Sequence, residues 1–122
     1  MSTSIENVLH AALSGLSLRQ QVTANNIANA DTPGFKAQSV SFEEQLSQAI
    51  QGASNNSTTF AEEAAPVVQE NPNLSANANG NSVDMDQQLL LMTDTTMRYD
   101  AVAQTLAQRY ALYNTILSDE KG

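Results

Sequence analysis

The sequence predicts an all-α protein whose long N- and C-terminal helices pack as an antiparallel coiled-coil-like pair, joined by a flexible middle segment. Apolar residues recur every three or four positions near both ends of the chain, as on one face of a helix. A central stretch is rich in Gly, Ser and Asn instead. The 122 residues suffice for one domain, which we divide into segments 1–36, 37–81 and 82–122.

The first predicted helix runs from about residue 4 to about residue 29. Thr3 and Glu6 have the spacing of a capping box at its start. Gly15 lies inside the helix, where it either permits close approach of a neighbouring backbone or is simply tolerated. The apolar seam of this helix is formed by Ile5, Leu9 and Leu16.

Asparagines and a Pro-Gly turn end this helix. Asn favours helix ends and turns. Pro33 disfavours helical geometry at the residue before it, and Pro-Gly fits the centre of a type II turn. We take this motif as a candidate assembly element; its members are Asn25, Asn26, Ile27, Asn29, Thr32, Pro33, Gly34 and Phe35.

A second short helix is predicted over residues 39–51, with Phe42 and Leu46 on one face because they are four positions apart. Small and polar residues dominate from 52 to 81. We expect this stretch to be flexible in the free subunit, since it buries too little apolar surface to offset its ordering entropy. Phe60 and the pair 67–68 would form a strand only where a neighbour supplies pairing.

A heptad pattern spans the last third of the chain. From residue 85 to residue 117 the seam positions alternate spacings of four and three, which is typical of a coiled-coil helix. At about 1.5 Å per residue this helix would be about 50 Å long, against about 40 Å for the first, which favours oligomerisation. The seam contains Met85, Leu89, Met92, Tyr99, Leu106, Tyr110, Tyr113 and Leu117.

The net charge of −8 is concentrated in the middle of the chain. All five Lys and Arg residues lie outside residues 37–97. Eight of the thirteen acidic residues lie within that range. The two ends are therefore neutral together, while the middle repels like charge and stays solvated. Nucleic-acid binding is disfavoured because no basic patch is present.

The sequence offers little for catalysis or metal binding. It has no Cys, and its single His10 lies among Ala and Leu. Residues 77–86 faintly resemble a calcium loop, but the Gly is misplaced and the terminal Glu is missing. We predict no enzyme activity, no cofactor and no small-molecule substrate. The chain has no apolar run of transmembrane length, and we expect no cleavable signal peptide.

At these residues the chain resembles the bacterial flagellar axial proteins, which include rod, hook and hook-associated subunits. Residues 25–29 followed by 32–36 are similar to their N-terminal signature, and these families pair it with a heptad C-terminus. Within them, the flagellar basal-body rod protein family, and its proximal rod subunits in particular, is the most similar. Phe35 stands where many of its members have Tyr.

The resemblance implies a structural subunit of the rod that crosses the periplasm, exported by the flagellar type III system without a cleaved signal peptide. It implies a homo-oligomer within the rod that contacts other flagellar rod proteins, the ring-to-rod adapter protein and the export gate. Phe42 and Leu46 are similar to an export-gate motif of this family, although a helical packing pair is an equally good interpretation.

A different class of function is also compatible with the sequence. An acidic chain with a broad apolar helix suits a soluble helical binding module or a secretion chaperone. The destination of the protein separates the two hypotheses, because a chaperone stays in the cytoplasm and a rod subunit is exported.

Overall fold

The computed structural model describes residues 5–52, 57–71 and 74–121, and this part of the protein is mostly helical. The long terminal helices that the sequence predicts are α1, Ile5–Ala28, and α4, Met85–Lys121. Thr3 of the predicted capping box lies outside the described residues. The elements between α1 and α4 are β1 (Gln38–Ser41), α2 (Glu43–Gln51), α3 (Ser57–Glu63) and β2 (Val67–Glu70). None of the described helices is long and apolar enough to span a membrane.

α1 and α4 lie side by side in opposite directions. Hydrogen bonds connect Asn26 to Gln88 near one end and His10 to Tyr110 near the other. The two helices differ in length, with 24 residues in α1 and 37 in α4. The C-terminal turns of α4 therefore continue beyond the first turn of α1.

A two-stranded antiparallel sheet corrects the all-α prediction. Val40 of β1 lies opposite Val68 of β2, and Ser41 lies opposite Val67. The sequence predicts a strand at Val67 and Val68 only where a neighbouring strand pairs with them, and β1 is that neighbour. Their β-branched side chains also favour the pleated backbone. The same pairing explains why residues 39–41 do not start the predicted second helix, which begins at Glu43.

The middle of the chain contains more regular structure than its composition suggested. Of the stretch from 52 to 81, the described residues include α3 and β2. Phe60 of α3 is fully buried against Ala49 of α2 and Ala64, with Val8 of α1 at the border of this cluster. One aromatic side chain thus anchors a segment that is otherwise small and polar, because aromatic rings bury a large apolar area. Residues 53–56, 72 and 73 lie outside the described residues.

A second apolar cluster lies where α1, β1 and the start of α2 meet. Its buried members are Leu16, Val22, Val40 and Phe42. Tyr99 and Val102 of α4 pack against it, so this cluster joins α4 to the rest of the fold.

Candidate assembly surface and the asparagine junction

The end of α1 is connected to β1 and α4 by the side-chain amide of Asn26. Its Nδ2 donates to the carbonyl oxygen of Gln38 at 2.8 Å and to Oε1 of Gln88 at 2.9 Å. Its Oδ1 accepts from the N–H of Gln38 at 3.0 Å. Asn26 is fully buried, and a buried amide is stable only where its donors and acceptor are used. The side chain therefore fixes the relative position of three elements.

Asn81, from just before α4, holds the loop that follows α1. The Nδ2 of Asn81 donates to the carbonyl oxygens of Asn29 at 2.8 Å and Thr32 at 2.7 Å. Its Oδ1 accepts from the N–H of Val83 at 2.8 Å. Both carbonyls lie beyond Ala28, the last residue of α1, so Asn81 connects the loop after this helix to the segment before α4.

Two glycines bring the loops before β1 and α4 into contact. Gly34 has φ +77° and Gly80 has φ +83°, conformations that other residues rarely adopt. The N–H of Gly34 donates to the carbonyl oxygen of Asn79 at 2.9 Å, and Nζ of Lys36 donates to that of Gly80 at 2.8 Å. Residues 25–38 and 77–83 together form what we call the asparagine junction.

The other members of the predicted motif lie around this junction. Asn29 donates through Nδ2 to the carbonyl oxygen of Asn25 at 2.9 Å and accepts from the hydroxyl of Thr32 at 3.1 Å. Ile27 and Phe35 are half-buried. The exposed members of the motif are Asn25, Thr32, Pro33 and Gly34.

Phe42 lies in the core, with 4% of its surface exposed. A Cβ atom added to Gly15 of α1 would overlap the ring of Phe42. The guanidinium of Arg19 lies 4.7 Å from the centre of the same ring. Gly15 thus permits close approach of an aromatic ring rather than of a backbone.

Arg19 also holds the start of α2 against α1. Its guanidinium donates to both carboxylate oxygens of Glu43 at 2.7 Å and to the carbonyl oxygen of Val40 at 2.8 Å. Such two-point pairing fixes orientation as well as distance. The hydrogen bonds from Arg19 are the main cause that holds the pKa of Glu43 below its ordinary value.

Leu46 packs separately from Phe42, although the two share a helical spacing. It is half-buried beside the cluster of Ala49, Phe60 and Ala64. The two residues of the candidate export-gate motif therefore contact two different clusters in the folded subunit.

Packing of α1 against α4 buries only part of the apolar seams predicted for the two helices. Leu16 and Leu106 are buried, and Leu9, Met92 and Tyr99 are half-buried. The exposed seam residues are Ile5, Met85, Leu89, Tyr110, Tyr113 and Leu117.

The C-terminal part of α4 presents exposed apolar side chains. Leu117 has 55% of its surface exposed and Leu112 has 58%. We call this patch the apolar end of α4; it comprises Tyr110, Leu112, Tyr113, Ile116 and Leu117. It is the candidate assembly surface.

Polar contacts join this patch to the first turns of α1. Glu6 accepts hydrogen bonds from Nε of Arg109, at 3.1 Å, and from the hydroxyl of Tyr113. These partners raise the pKa of Arg109, Glu6 being the main cause. His10 lies 2.9 Å from the hydroxyl of Tyr110. The two tyrosines thus bond to α1 through their hydroxyl groups.

Sequence reasoning missed the partners of the asparagine motif. Asn81 lies in the stretch that faintly resembles a calcium loop, and nothing local indicates that its amide reaches the loop after α1. Gln88 fills a position between heptad seam residues, where a polar side chain is expected to be exposed, yet it is buried. Long-range side-chain pairing of this kind leaves no periodic signal in the sequence.

The described residues contain no group of three or more His, Asp or Glu side chains that could hold a metal ion. The stretch that faintly resembled a calcium loop is used differently. Asn81 bonds to the loop after α1, and Oδ1 of Asp84 accepts from the N–H of Gln87 at 3.2 Å in the first turn of α4. That contact is a helix N-cap.

The fold and this surface define a class of protein: a helical structural subunit whose longest helix keeps apolar side chains available to a partner. Comparison with known proteins gives the family. A family model for the flagella basal body rod protein matches residues 7–36, which cover most of α1 and the first loop of the asparagine junction.

Three curated relatives are each described as flagellar basal body rod protein FlgB. The protein of Bacillus subtilis (strain 168) is 30% identical over 98% of this chain and 97% of its own length. Those of Borreliella burgdorferi and Proteus mirabilis (strain HI4320) are 30% and 31% identical over 88% and 83% of this chain, and over 91% and 86% of their own lengths. The chain belongs to the FlgB family of flagellar basal body rod proteins. It is therefore a structural rod subunit of the flagellar basal body, and the chaperone alternative is set aside.

Proposed function

We propose that this rod subunit polymerises through its two terminal helices, which pack as a coiled-coil-like layer shared between copies. The exposed apolar end of α4 is the observation that supports this proposal. α1 covers the patch only in part in the single subunit, so exposed apolar surface remains for a partner helix to bury.

The energetics favour such assembly. Fully burying one large apolar side chain is worth roughly 1.5–3 kcal/mol, and these five are about half exposed, so completing their burial contributes roughly 4–8 kcal/mol per copy against an association cost of about 4 kcal/mol or more. The exposed seam residues Met85 and Leu89 at the other end of α4 add to this surface. Segments 1–36 and 82–122 would form the core of the rod, while segment 37–81 would face its neighbours.

The family also supports a place and a set of partners. We propose a proximal position in the periplasmic rod, reached through the type III export gate without a cleaved signal peptide. The neighbours would be further copies, other rod proteins and the ring-to-rod adapter protein. The exposed part of the asparagine junction, which includes Thr32 and Pro33, would contribute to contacts between subunits.

Export and packing would use Phe42 and Leu46 in different states. Phe42 is buried in the folded subunit, so the export gate would meet it only in an unfolded chain. After export the same ring packs on Gly15. Both roles proposed for the pair are therefore compatible with one sequence.

The test introduces one charge at the apolar end of α4. Leu117→Asp should abolish incorporation into basal bodies and swimming while leaving the thermal unfolding of the monomer unchanged, because this side chain is exposed before assembly. Asn114→Asp, an exposed polar position on the same turns, is the matched control and should assemble normally. Quantitative mass spectrometry of purified basal bodies gives the readout, and normal incorporation of Leu117→Asp would refute the proposal.

Leu106 is unsuitable for this test. It has only 7% of its surface exposed within the single subunit. Leu106→Asp would unfold the monomer itself, so loss of assembly would not identify an interface.

A further inference from the structure

The sheet of this subunit has two edges that differ in their hydrogen bonding. In an antiparallel pair, alternate residues direct their N–H and C=O groups away from the partner strand. Both backbone groups of Gln38 bond to Asn26, so Gln38 points away from β2. Glu70 lies opposite Gln38, and Val68 lies opposite Val40. Val68 and Glu70 therefore direct their N–H and C=O groups to the outer edge of β2.

The outer edge of β1 is closed by side chains. Asn26 occupies both groups of Gln38, and Arg19 donates to the outward carbonyl of Val40. A further strand could join on this side only by displacing both side chains. Growth of the sheet at β1 is thereby blocked.

The outer edge of β2 is open within the described part of the chain. All four of its residues are exposed, with Val67 at 45% and Val68 at 42%. The outward groups of Val68 and Glu70 make no hydrogen bond to any described residue. A free edge that carries β-branched side chains is a template for an incoming strand.

The charge around β2 selects the occupant. Glu62 and Glu63 on α3 are exposed, as is Glu70 on the strand. Residues 37–97 contain no Lys or Arg. Two copies paired through β2 would place these carboxylates near one another, which is unfavourable, whereas a segment with Lys or Arg would be attracted.

We propose that β2 accepts an extended, positively charged segment of a different protein as a third strand, held by backbone hydrogen bonds to Val68 and Glu70. The partner is met in the basal body, so the proposal rests on rod assembly as proposed above. It assigns the middle segment a contact that the terminal helices do not make.

Hydrogen exchange in the intact basal body tests the proposal. The amides of Val68 and Glu70 should exchange at least tenfold more slowly in basal bodies than in the free subunit, measured with fragmentation that resolves single residues. Equal exchange in the two samples, with the subunit present in the basal body, overturns this proposal alone. Absence of the subunit from basal bodies would instead contradict the proposed polymerisation.

Two substitutions make the test specific to the strand edge. Val68→Pro removes an outward N–H that β1 does not use, and should abolish the protection of Glu70. Val68→Thr keeps the N–H and the β-branched shape, and should retain the protection within about twofold. Thermal melting of both free variants checks that the sheet with β1 is intact. Protection that survives Val68→Pro overturns the proposal.

Charge and cross-linking identify the occupant. Glu70→Lys should reduce the protection of Val68 at least threefold, because it replaces attraction by repulsion. The chain has no Cys, so Val68→Cys gives a single site for a maleimide-linked photo-cross-linker, which captures a neighbouring protein in basal bodies without needing a thiol on it. Cross-linked homodimers, or protection unaffected by Glu70→Lys, would overturn the assignment to a positively charged partner.

Discussion

Buried asparagine side chains take the place of backbone partners at the end of α1. Asn26 bonds to both backbone groups of Gln38, much as a neighbouring strand would, and Asn81 bonds to two carbonyls of the loop that follows the helix. Only an amide side chain has both a donor and an acceptor at this length. The chemical need for Asn, rather than its preference for turns, explains these two positions.

Replacing Asn26 by alanine should destabilise the folded subunit strongly. Asn26→Ala removes three hydrogen bonds and leaves both backbone groups of Gln38, a partly buried residue, without this partner. We expect the free energy of unfolding to fall by about 3 kcal/mol. Urea unfolding followed by circular dichroism measures the change.

The neighbouring Asn25 provides the control. It is exposed, so Asn25→Ala should change the free energy of unfolding by less than about 1 kcal/mol. Similar losses for the two variants would show that the junction does not depend on the amide of Asn26.

At the level of elements, the contact between α1 and the start of α2 depends on the absence of a side chain at Gly15. Gly15→Ala would favour the helix by about 1 kcal/mol in isolation. The added Cβ would overlap the ring of Phe42, so we expect a net loss of about 2 kcal/mol in the free energy of unfolding. Guanidinium chloride unfolding measures it.

Two further variants separate crowding from other causes. Ser14→Ala changes an exposed position one residue earlier and should be neutral or slightly stabilising. Combining Gly15→Ala with Phe42→Leu should cost less than the sum of the two single changes, because the smaller side chain makes room. Strict additivity would argue against the contact.

The ion pair that fixes α2 has a defined pH dependence. The pKa of Glu43 is lower in the folded state than its ordinary value of 4.5, so the unfolded chain binds the proton more readily. The stabilisation is therefore fully present above about pH 4.5 and is lost as the pH falls through the lower, folded-state pKa. Thermal unfolding of the wild type and of Glu43→Gln should differ at pH 7 and converge toward pH 3.

Glu44→Gln is the matched control for this pH series. The residue is exposed and adjacent in sequence. The melting temperature of Glu44→Gln should follow that of the wild type at every pH. If the melting temperatures of Glu43→Gln and the wild type differ as much at pH 3 as at pH 7, the linkage is contradicted.

The elements that the sequence predicted are those with a periodic signal. The pattern from Met85 to Leu117 repeats often enough to identify α4, and the motif from Asn25 to Phe35 marks the end of α1. β1 was missed because its four residues also fit the period of the helix that follows. The contacts of Asn26 with Gln88 were missed because they join residues 62 positions apart in the chain.

At the level of the whole molecule, net charge should oppose assembly. Each subunit carries a formal charge of −8, so copies repel one another while their apolar ends attract. Raising the ionic strength from about 0.01 M to about 0.15 M shortens the Debye length from about 30 Å to about 8 Å. We expect the association constant measured by sedimentation velocity to rise at least threefold.

The response to salt should depend on the apolar end of α4. Leu117→Asp should remain monomeric at both ionic strengths, since screening alone supplies no attraction. Association of the wild type that weakens with salt would show that opposite charges, rather than apolar surface, hold the subunits together.

The contact of Asn81 with the end of α1 also has a consequence in time. The amide comes from a residue 52 positions after the carbonyl of Asn29 that it serves. At a synthesis rate of about 5–20 residues per second, the loop after α1 precedes this partner by roughly 3–10 s. During that interval its carbonyl groups can bond to water in place of Asn81. A newly made chain thus spends its first seconds without the contact that connects this loop to the segment before α4.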